Sequence, residues 1–280
     1  MDKIFNDLKN KFPNLEIYQN HLLAPYTTVK IGGPADIFIH TKNSSEFSNV
    51  LTFCRDATHG VSTNPITIIG NGSNVLISDS GIRGIVIKND SQEVEILENN
   101  RVKVSSGTQL SYLINFTLDN NLTGLEEFAY IPSTVGGAIA GKIHGVRGFF
   151  MDYVESVEKQ DNFIISAILK LTPNDSTQAK AESLEIIRKK SLVQSMNSLG
   201  SVFKNKEGQN PSGMIIDKDL NLRGYSIGDA QISPNHGNFI INNGKATAAD
   251  YLSLIKLIQS KVQEKLGFQF ELEIKLLGNF

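Results

Sequence analysis

Ile68-Ile69-Gly70-Asn71-Gly72-Ser73-Asn74-Val75-Leu76-Ile77 is the stretch that decides the fold. A G-x-G opening behind an apolar run invites a dinucleotide-binding βαβ reading. That fingerprint needs a third glycine three residues after the second, and a helix behind it. Position 75 is Val and a second β-type run follows, so the βαβ reading fails on both counts. The stretch reads instead as strand, glycine loop, strand. Such a loop can still hold an anion, because glycines let successive backbone N–H groups turn toward one point, and Ser73 and Asn74 add side-chain donors.

Two further loops have the same character: Lys30-Ile31-Gly32-Gly33-Pro34-Ala35 and Ile131-Pro132-Ser133-Thr134-Val135-Gly136-Gly137-Ala138. Any one of them reads equally as a plain turn. Three together suit a backbone cradle around a long diphosphate cofactor.

The surrounding pattern mixes both periodicities. MDKIFNDLKNKF reads as an amphipathic helix ended by Pro13, and Asn43 with Glu46 forms a capping box for a helix whose apolar face is Phe47, Val50, Leu51 and Cys54. Strands are expected at Ile66–Ile69, Val75–Ile77 and Ile85–Ile87, then at Val94–Ile96 and Val102–Val104 about the turn Asn99-Asn100. A helix carries Leu110, Leu113, Ile114 and Leu118, and an apolar strand runs from Phe163 to Leu171. Pro173 and the polar run Asn174-Asp175-Ser176-Thr177 mark a domain boundary. Beyond it come a helix closed by Arg188-Lys189-Lys190, a loop-rich segment from Ser191 to Asn238 and the strand Phe239–Ile241. A last helix presents Tyr251, Leu254, Ile255, Ile258, Val262 and Leu266 on one face, with Gly267 as C-cap, before a final strand. The class is α+β, divided into residues 1–173 and 174–280.

Composition excludes several functions. The 280 residues carry 27 Lys+Arg against 29 Asp+Glu, a net charge of −2, which argues against a nucleic-acid partner. The densest basic cluster, Arg188-Lys189-Lys190, complements a helix dipole. No apolar run is long enough to span a bilayer, and the amino terminus lacks the features of a signal peptide, so a cytoplasmic protein is expected. The single Cys54 precludes an internal disulfide and reads as a core thiol rather than a nucleophile. His21, His40, His59, His144 and His236 lie too far apart for local metal-ligand spacing, so no metal is expected.

With these loops in hand, the sequence resembles a flavoenzyme family, the UDP-N-acetylenolpyruvoylglucosamine reductases (UDP-N-acetylmuramate dehydrogenases) of bacterial peptidoglycan synthesis. The matching stretches are Thr28-Val-Lys-Ile-Gly-Gly-Pro-Ala35, Gly70-Asn-Gly-Ser-Asn74, Gly124-Leu-Glu126, Ile131-Pro-Ser-Thr-Val-Gly-Gly-Ala138 and Gly200-Ser-Val-Phe-Lys-Asn205. The series Gly224, Gly228, Gln231, Ser233, His236, Asn238, Phe239 and the terminal Glu273-Ile-Lys-Leu-Leu-Gly278 complete the set.

The resemblance implies a two-lobed FAD-binding domain of the vanillyl-alcohol-oxidase (PCMH) type over 1–173 and a smaller α+β substrate-binding domain over 174–280. It implies FAD as cofactor, NADPH as co-substrate, a UDP-sugar substrate and a monomer. Thr28, Ile31, Gly32, Gly33, Gly70, Asn71, Gly72, Ser73, Asn74, Pro132, Ser133, Thr134, Gly136 and Gly137 fall at its flavin positions. Ser201 falls at the position of the acid that protonates the substrate carbon, and Glu273 at that of its carboxyl partner. Lys204, Asn205 and His236 fall among substrate contacts. Read from the residues alone, Ser201 is a cap or turn residue, Glu273 a solvated strand residue and His236 a loop tie.

The resemblance breaks after residue 140. The family carries a Tyr-Arg-x-Ser motif between its altered loop, here Gly141-Lys-Ile-His-Gly-Val-Arg-Gly148, and the apolar strand at Phe163; this chain lacks it. The motif's arginine would hold the substrate carboxylate and offset the enolate charge. Arg147 and Lys142 are the cations available to replace it, and each also reads as a solvated loop residue. Ser133 replaces a usual Gly, and Ser191-Leu192-Val193 stands where the family has Lys-x-Pro. A relative that binds FAD and nucleotide sugar with altered or lost reductase activity is the second reading.

Overall fold

Within the glycine stretch, Ile66–Ile69 forms β3 and Val75–Ile77 forms β4, with no helix between them, as its sequence pattern requires. The computed structural model describes residues 1–58, 66–192 and 197–280; His59 and Val193, both named above, lie outside the described residues. The chain forms two compact units. One holds Met1–Asn20, Asp36–Asn71 and Gly84–Lys190, the other His21–Ala35, Gly72–Arg83 and Ser191–Phe280.

This division differs from a single cut after Pro173. Pro173 pairs with Leu122 in a short antiparallel ladder, and Asn174 donates its N–H to Asn121 O at 3.0 Å. Helix α5 (Ser176–Ser191) then packs Ala179 into the core of the first unit. The Pro-polar punctuation is therefore a turn inside that unit. Segments 21–35 and 72–83 join the second unit because Val29, Ile31 and Leu76 lie in its core, a long-range choice that local punctuation does not encode.

Besides that short ladder, the described residues of the first unit form two four-stranded sheets. One orders as β1-β2-β5-β3, with β1 at Glu16–Leu22, β2 at Pro34–Thr41 and β5 at Ile82–Asn89; β3 and β5 run parallel. Helices α1 (Asp2–Lys11) and α2 (Ser44–Thr58) bury Leu8, Phe47, Val50, Leu51 and Cys54 with Ile37, Ile39, Ile85 and Ile87 of this sheet. At the start of α2, Asn43 Oδ1 accepts the Glu46 N–H at 2.8 Å, whereas the Glu46 carboxylate accepts from the Lys42 N–H at 2.7 Å. Half of the expected capping box is thus present, shifted by one residue in its return arm.

The other sheet is antiparallel and ordered β6-β7-β9-β8, two hairpins joined through β7 and β9, with β6 at Val94–Leu97, β7 at Arg101–Ser105, β8 at Val154–Gln160 and β9 at Phe163–Lys170. Asn99 and Asn100 close its first hairpin at φ 59° and 58°, a conformation their short polar side chains tolerate. Helices α3 (Leu110–Asp119) and α4 (Val135–Gly141) cover it through Leu113, Ile114, Leu118, Val135 and Ala138.

The second unit is built on an antiparallel sheet ordered β10-β13-β12-β11, with β10 at Ser198–Ser201, β11 at Ser226–Ile227, β12 at Ala230–Ile232 and β13 at Phe239–Asn242. Helix α6 (Ala248–Leu266) buries Tyr251, Leu254, Ile255, Ile258 and Val262 in the core of this unit. Thr247 and Asp250 form a reciprocal capping box, and the Asp79 carboxylate accepts the Ala248 and Ala249 N–H groups at 2.8 and 3.0 Å, which suits the helix dipole. Gly267 ends the helix in the left-handed region. Leu266 is 39% exposed, so the buried face stops at Val262. The final strand is also shorter than its alternation suggests. It divides in two: Lys275–Leu277 (β14) pairs parallel to β4, whereas Leu272 makes an isolated antiparallel bridge to Phe203, and Phe268, Phe270 and Ile274 are buried. No described helix is long and apolar enough to cross a membrane.

Candidate active site

Ser201 ends β10 immediately after an irregularity. Ser198 pairs with Ile241 and Ser201 with Phe239, so three steps along β10 oppose two along β13. The extra residue is a β-bulge, a device that re-aims the side chain following it. Gly200 occupies the bulge at φ 75°, a value that an L side chain adopts only at a cost.

From Ser201 the chain runs antiparallel to residues 271–273. Glu273 donates its N–H to Val202 O, and Lys204 donates its N–H to Glu271 O, both at 2.9 Å, about a bridge between Phe203 and Leu272. Phe203 is buried against Phe270, with ring centroids 5.2 Å apart, which anchors this short ladder in the core. Ser201 and Glu273, 72 positions apart in the sequence, thereby come onto neighbouring segments.

The glycine loop reaches the same place. Asn74 Nδ2 donates to Glu273 O at 3.2 Å, and Asn74 O accepts the Lys275 N–H at 3.0 Å. Asn74 thus holds the backbone on either side of Ile274, directly after Glu273. The Glu273 side chain is exposed by surface area, yet surrounding protein atoms remove enough water to raise its carboxyl above the usual carboxylate range. The nearby Lys204 ammonium opposes that rise, while its closest anionic partner is Glu271 Oε2 at 3.2 Å.

Among the expected flavin positions, the loop 70–74 keeps its donors available. Gly72 is buried at φ 59°, and a Cβ there would lie 2.3 Å from Tyr26 O, so only glycine fits. Among the described residues, the N–H groups of Asn71, Gly72 and Ser73 have no protein acceptor. A buried N–H without a partner is costly, and a bound anion would satisfy it. These residues therefore fit a diphosphate-bearing cofactor.

The other two loops are more self-contained. Thr28 donates its N–H to Gly72 O and its hydroxyl to Ser198 O at 2.6 Å. Ile31 is buried and Gly33 donates its N–H to Ser78 O, while the Gly32 N–H has no protein acceptor among the described residues. In the third loop, Ser133 N–H bonds Ile131 O, Gly136 N–H bonds Ser106 O at 2.7 Å, and Gly137 N–H bonds the Thr134 hydroxyl, which caps α4. Pro132 has no N–H to give. Positions 131–137 thus shape a turn more than they present open donors.

The substrate candidates also have local roles. Asn205 Oδ1 accepts from both the N–H and the hydroxyl of Ser212, at 2.9 and 2.8 Å, leaving its amide hydrogens for another acceptor. His236 Nδ1 accepts the Asn238 N–H at 3.2 Å, so it ties a turn, and this geometry assigns the ring proton to Nε2. Arg147 is 56% exposed and pairs with Glu182 at 2.9 Å, while its N–H donates to Glu127 Oε2 at 2.5 Å. Lys142 takes the left-handed C-cap of α4. Glu127 is a buried carboxyl that the sequence pattern did not flag. Its Oε1 has no partner among the described residues, and Gly145 of the altered loop packs directly on it.

Residues 35–161 match the FAD binding domain family, and residues 192–277 match the C-terminal domain of UDP-N-acetylenolpyruvoylglucosamine reductase. A reductase of that name from Listeria welshimeri is 33% identical over 98% of this chain and 99% of its own length. The chain belongs to the UDP-N-acetylenolpyruvoylglucosamine reductase family. Another member, from Clostridium novyi, is 33% identical over 94% of this chain and 92% of its own. The crystal structure of the Thermus caldophilus reductase superimposes with a TM-score of 0.77 at 29% identity, covering 95% of this chain and 99% of that one. The Listeria alignment runs over 301 positions, 21 more than this chain's 280 residues, so that relative carries at least that many residues without a counterpart here. The chain is an FAD-dependent oxidoreductase of α+β class.

Proposed function

We propose that the protein reduces the enolpyruvyl group of UDP-N-acetylglucosamine enolpyruvate to UDP-N-acetylmuramate with NADPH, in peptidoglycan synthesis. The observation that carries this reading is the Glu273 N–H on Val202 O, which aligns the Glu273 segment with the segment opened by Ser201. The reaction adds a hydride to one alkene carbon and a proton to its neighbour. FAD, when bound, carries the hydride from NADPH to the substrate. Asn71, Gly72 and Ser73 would hold its diphosphate through their backbone donors.

The chain supplies the proton and the charge stabilisation. Ser201 Oγ gives its proton to the carbon beside the substrate carboxylate, a demanding task for a hydroxyl that requires a desolvated, oriented setting. Glu273 is the carboxyl partner; its raised pKa keeps it protonated to higher pH than a solvated glutamate. Lys204 and the Asn205 amide hydrogens suit the oxygens of the UDP diphosphate. The protein acts as a cytoplasmic monomer supporting cell-wall growth, and so cell shape and division.

The test is NADPH oxidation by the purified yellow protein with and without the UDP-sugar enolpyruvate; no substrate-dependent turnover would sink the reading. A second reading, a relative that binds FAD and UDP-sugar without turnover, is favoured by one observation: the Arg147 guanidinium is already engaged by Glu182. Its signature is thermal stabilisation by both ligands with turnover absent. Loss of substrate-dependent turnover in Arg147→Ala would instead assign Arg147 the role of the missing cation.

A further inference from the structure

Asn238 precedes β13 and is 4% exposed. Its side chain behaves as a strand segment would. Oδ1 accepts the Phe203 N–H at 3.0 Å, and Nδ2 donates to Phe203 O at 2.8 Å and to Ser212 Oγ at 3.1 Å. Its own carbonyl accepts the Val202 N–H at 2.9 Å. One buried residue therefore satisfies three backbone groups of the segment that Ser201 opens and Lys204 closes.

That segment is the middle of three. Its other edge meets Glu271 and Glu273 through the two 2.9 Å backbone bonds, so whatever holds the Asn238 edge also fixes where Ser201 stands relative to Glu273. The hold extends further, because Ser212, fully buried and bonded to Asn238, gives its hydroxyl proton and its N–H to Asn205 Oδ1. At neutral pH a carboxamide places a donor and an acceptor together to match the C=O and N–H of one residue, which an ionised carboxylate cannot. A carboxylate at position 238 would set an acceptor against Phe203 O. An apolar side chain would leave buried groups of Phe203 and Ser212 unpaired.

We propose that Asn238 is a positioning residue that sets Ser201 relative to Glu273 and, through Ser212, orients Asn205. The proposal rests on the reductase reading above. Its test uses the FAD-loaded protein and separates two half-reactions by stopped flow: bleaching of the flavin by NADPH, and recolouring by the UDP-sugar enolpyruvate. In Asn238→Asp at neutral pH, recolouring slows by about 100-fold, the scale expected for a displacement of roughly 1 Å, while bleaching is unchanged. As pH falls and the new carboxyl regains a proton to donate, the deficit of Asn238→Asp narrows, whereas that of Asn238→Ala stays. Hydrogen exchange at the Phe203 amide accelerates in Asn238→Ala, which removes its acceptor.

Equal slowing of both half-reactions, or a pH-independent deficit in Asn238→Asp, overturns the proposal. So does recolouring at the wild-type rate. If Asn238→Asp fails to retain flavin, Ser212→Ala carries the test, with slowed recolouring and normal bleaching expected and normal recolouring refuting it. Absence of recolouring in the wild type overturns the reductase reading and the proposal together.

Discussion

Replacing Gly200 with Ala tests whether the β10 bulge aims Ser201. Gly200 sits at φ 75°, and a Cβ built there meets nothing within 4 Å, so the substitution carries no steric clash, only the backbone cost of a left-handed L residue. That cost is roughly 1–2 kcal/mol. At a few degrees per kcal/mol for a chain of this size, it corresponds to a Tm lowered by about 2–8 °C. Gly267 is the matched control. It has φ 74°, equally open space and a place at the C-cap of α6, in the same unit. Gly267→Ala should lose a similar amount of stability with substrate-dependent reoxidation intact. Gly200→Ala should lose both, because relieving the strain flattens the bulge and turns Ser201 away, at a cost of about 100-fold for a misplacement near 1 Å. Calorimetry with stopped-flow reoxidation of the NADPH-reduced protein reads both quantities. The reasoning fails if Gly200→Ala reoxidises at the wild-type rate while losing stability like the control.

Three other outcomes follow from single residues. The Tyr251 hydroxyl is fully buried without a partner among the described residues, and burial drives its pKa strongly upward, so Tyr251→Phe should stabilise the protein by about 1–2 kcal/mol; a lower Tm would mean the hydroxyl is satisfied. Cys54 is buried with its thiol pushed up to about 12, so a thiol reagent at pH 8 should modify it only after denaturation; rapid labelling of the native protein would contradict the packing of α2. The Glu273 pKa is raised on folding, so its contribution to stability is greatest below the unfolded value near 4.5 and declines as pH rises through the folded value. Glu273→Gln should remove that decline, and thermal unfolding of both proteins from pH 4 to 7 should show wild type falling relative to the variant; parallel curves would refute the desolvation of this carboxyl.

Local signals in the chain reached most of the elements. The periodicity of Tyr251, Leu254, Ile255, Ile258 and Val262 is imposed by one buried helix face, and Gly267 could only end it. The strand–loop–strand reading at 66–77 followed from a missing glycine and the absence of a helix pattern, both local facts. The glycine loops are legible from residue type and spacing, whereas Ser201 and Glu273 stand out only through the family resemblance, since periodicity alone reads them as a turn residue and a solvated strand residue.

What tertiary structure alone decided is which of these segments meet. Pro173 looked like a domain edge, but it pairs with Leu122, and α5 packs back on the first unit, since burial of Ala179 outweighs local punctuation. The alternation from Phe268 to Leu276 promised one strand, yet the segment splits between two partners: Leu272 bridges Phe203, and Lys275–Leu277 pairs with β4 some 200 residues earlier. Asn238 carried no signal of its role, because an amide that stands in for a strand is recognisable only once Phe203 lies beside it. The α+β class and the strand–loop–strand form of residues 66–77 follow from side-chain type and short-range period, properties that need no distant contact. The alignment of Ser201 with Glu273 and the engagement of Arg147 by Glu182 depend on contacts across many intervening residues, and those are fixed only when the chain packs.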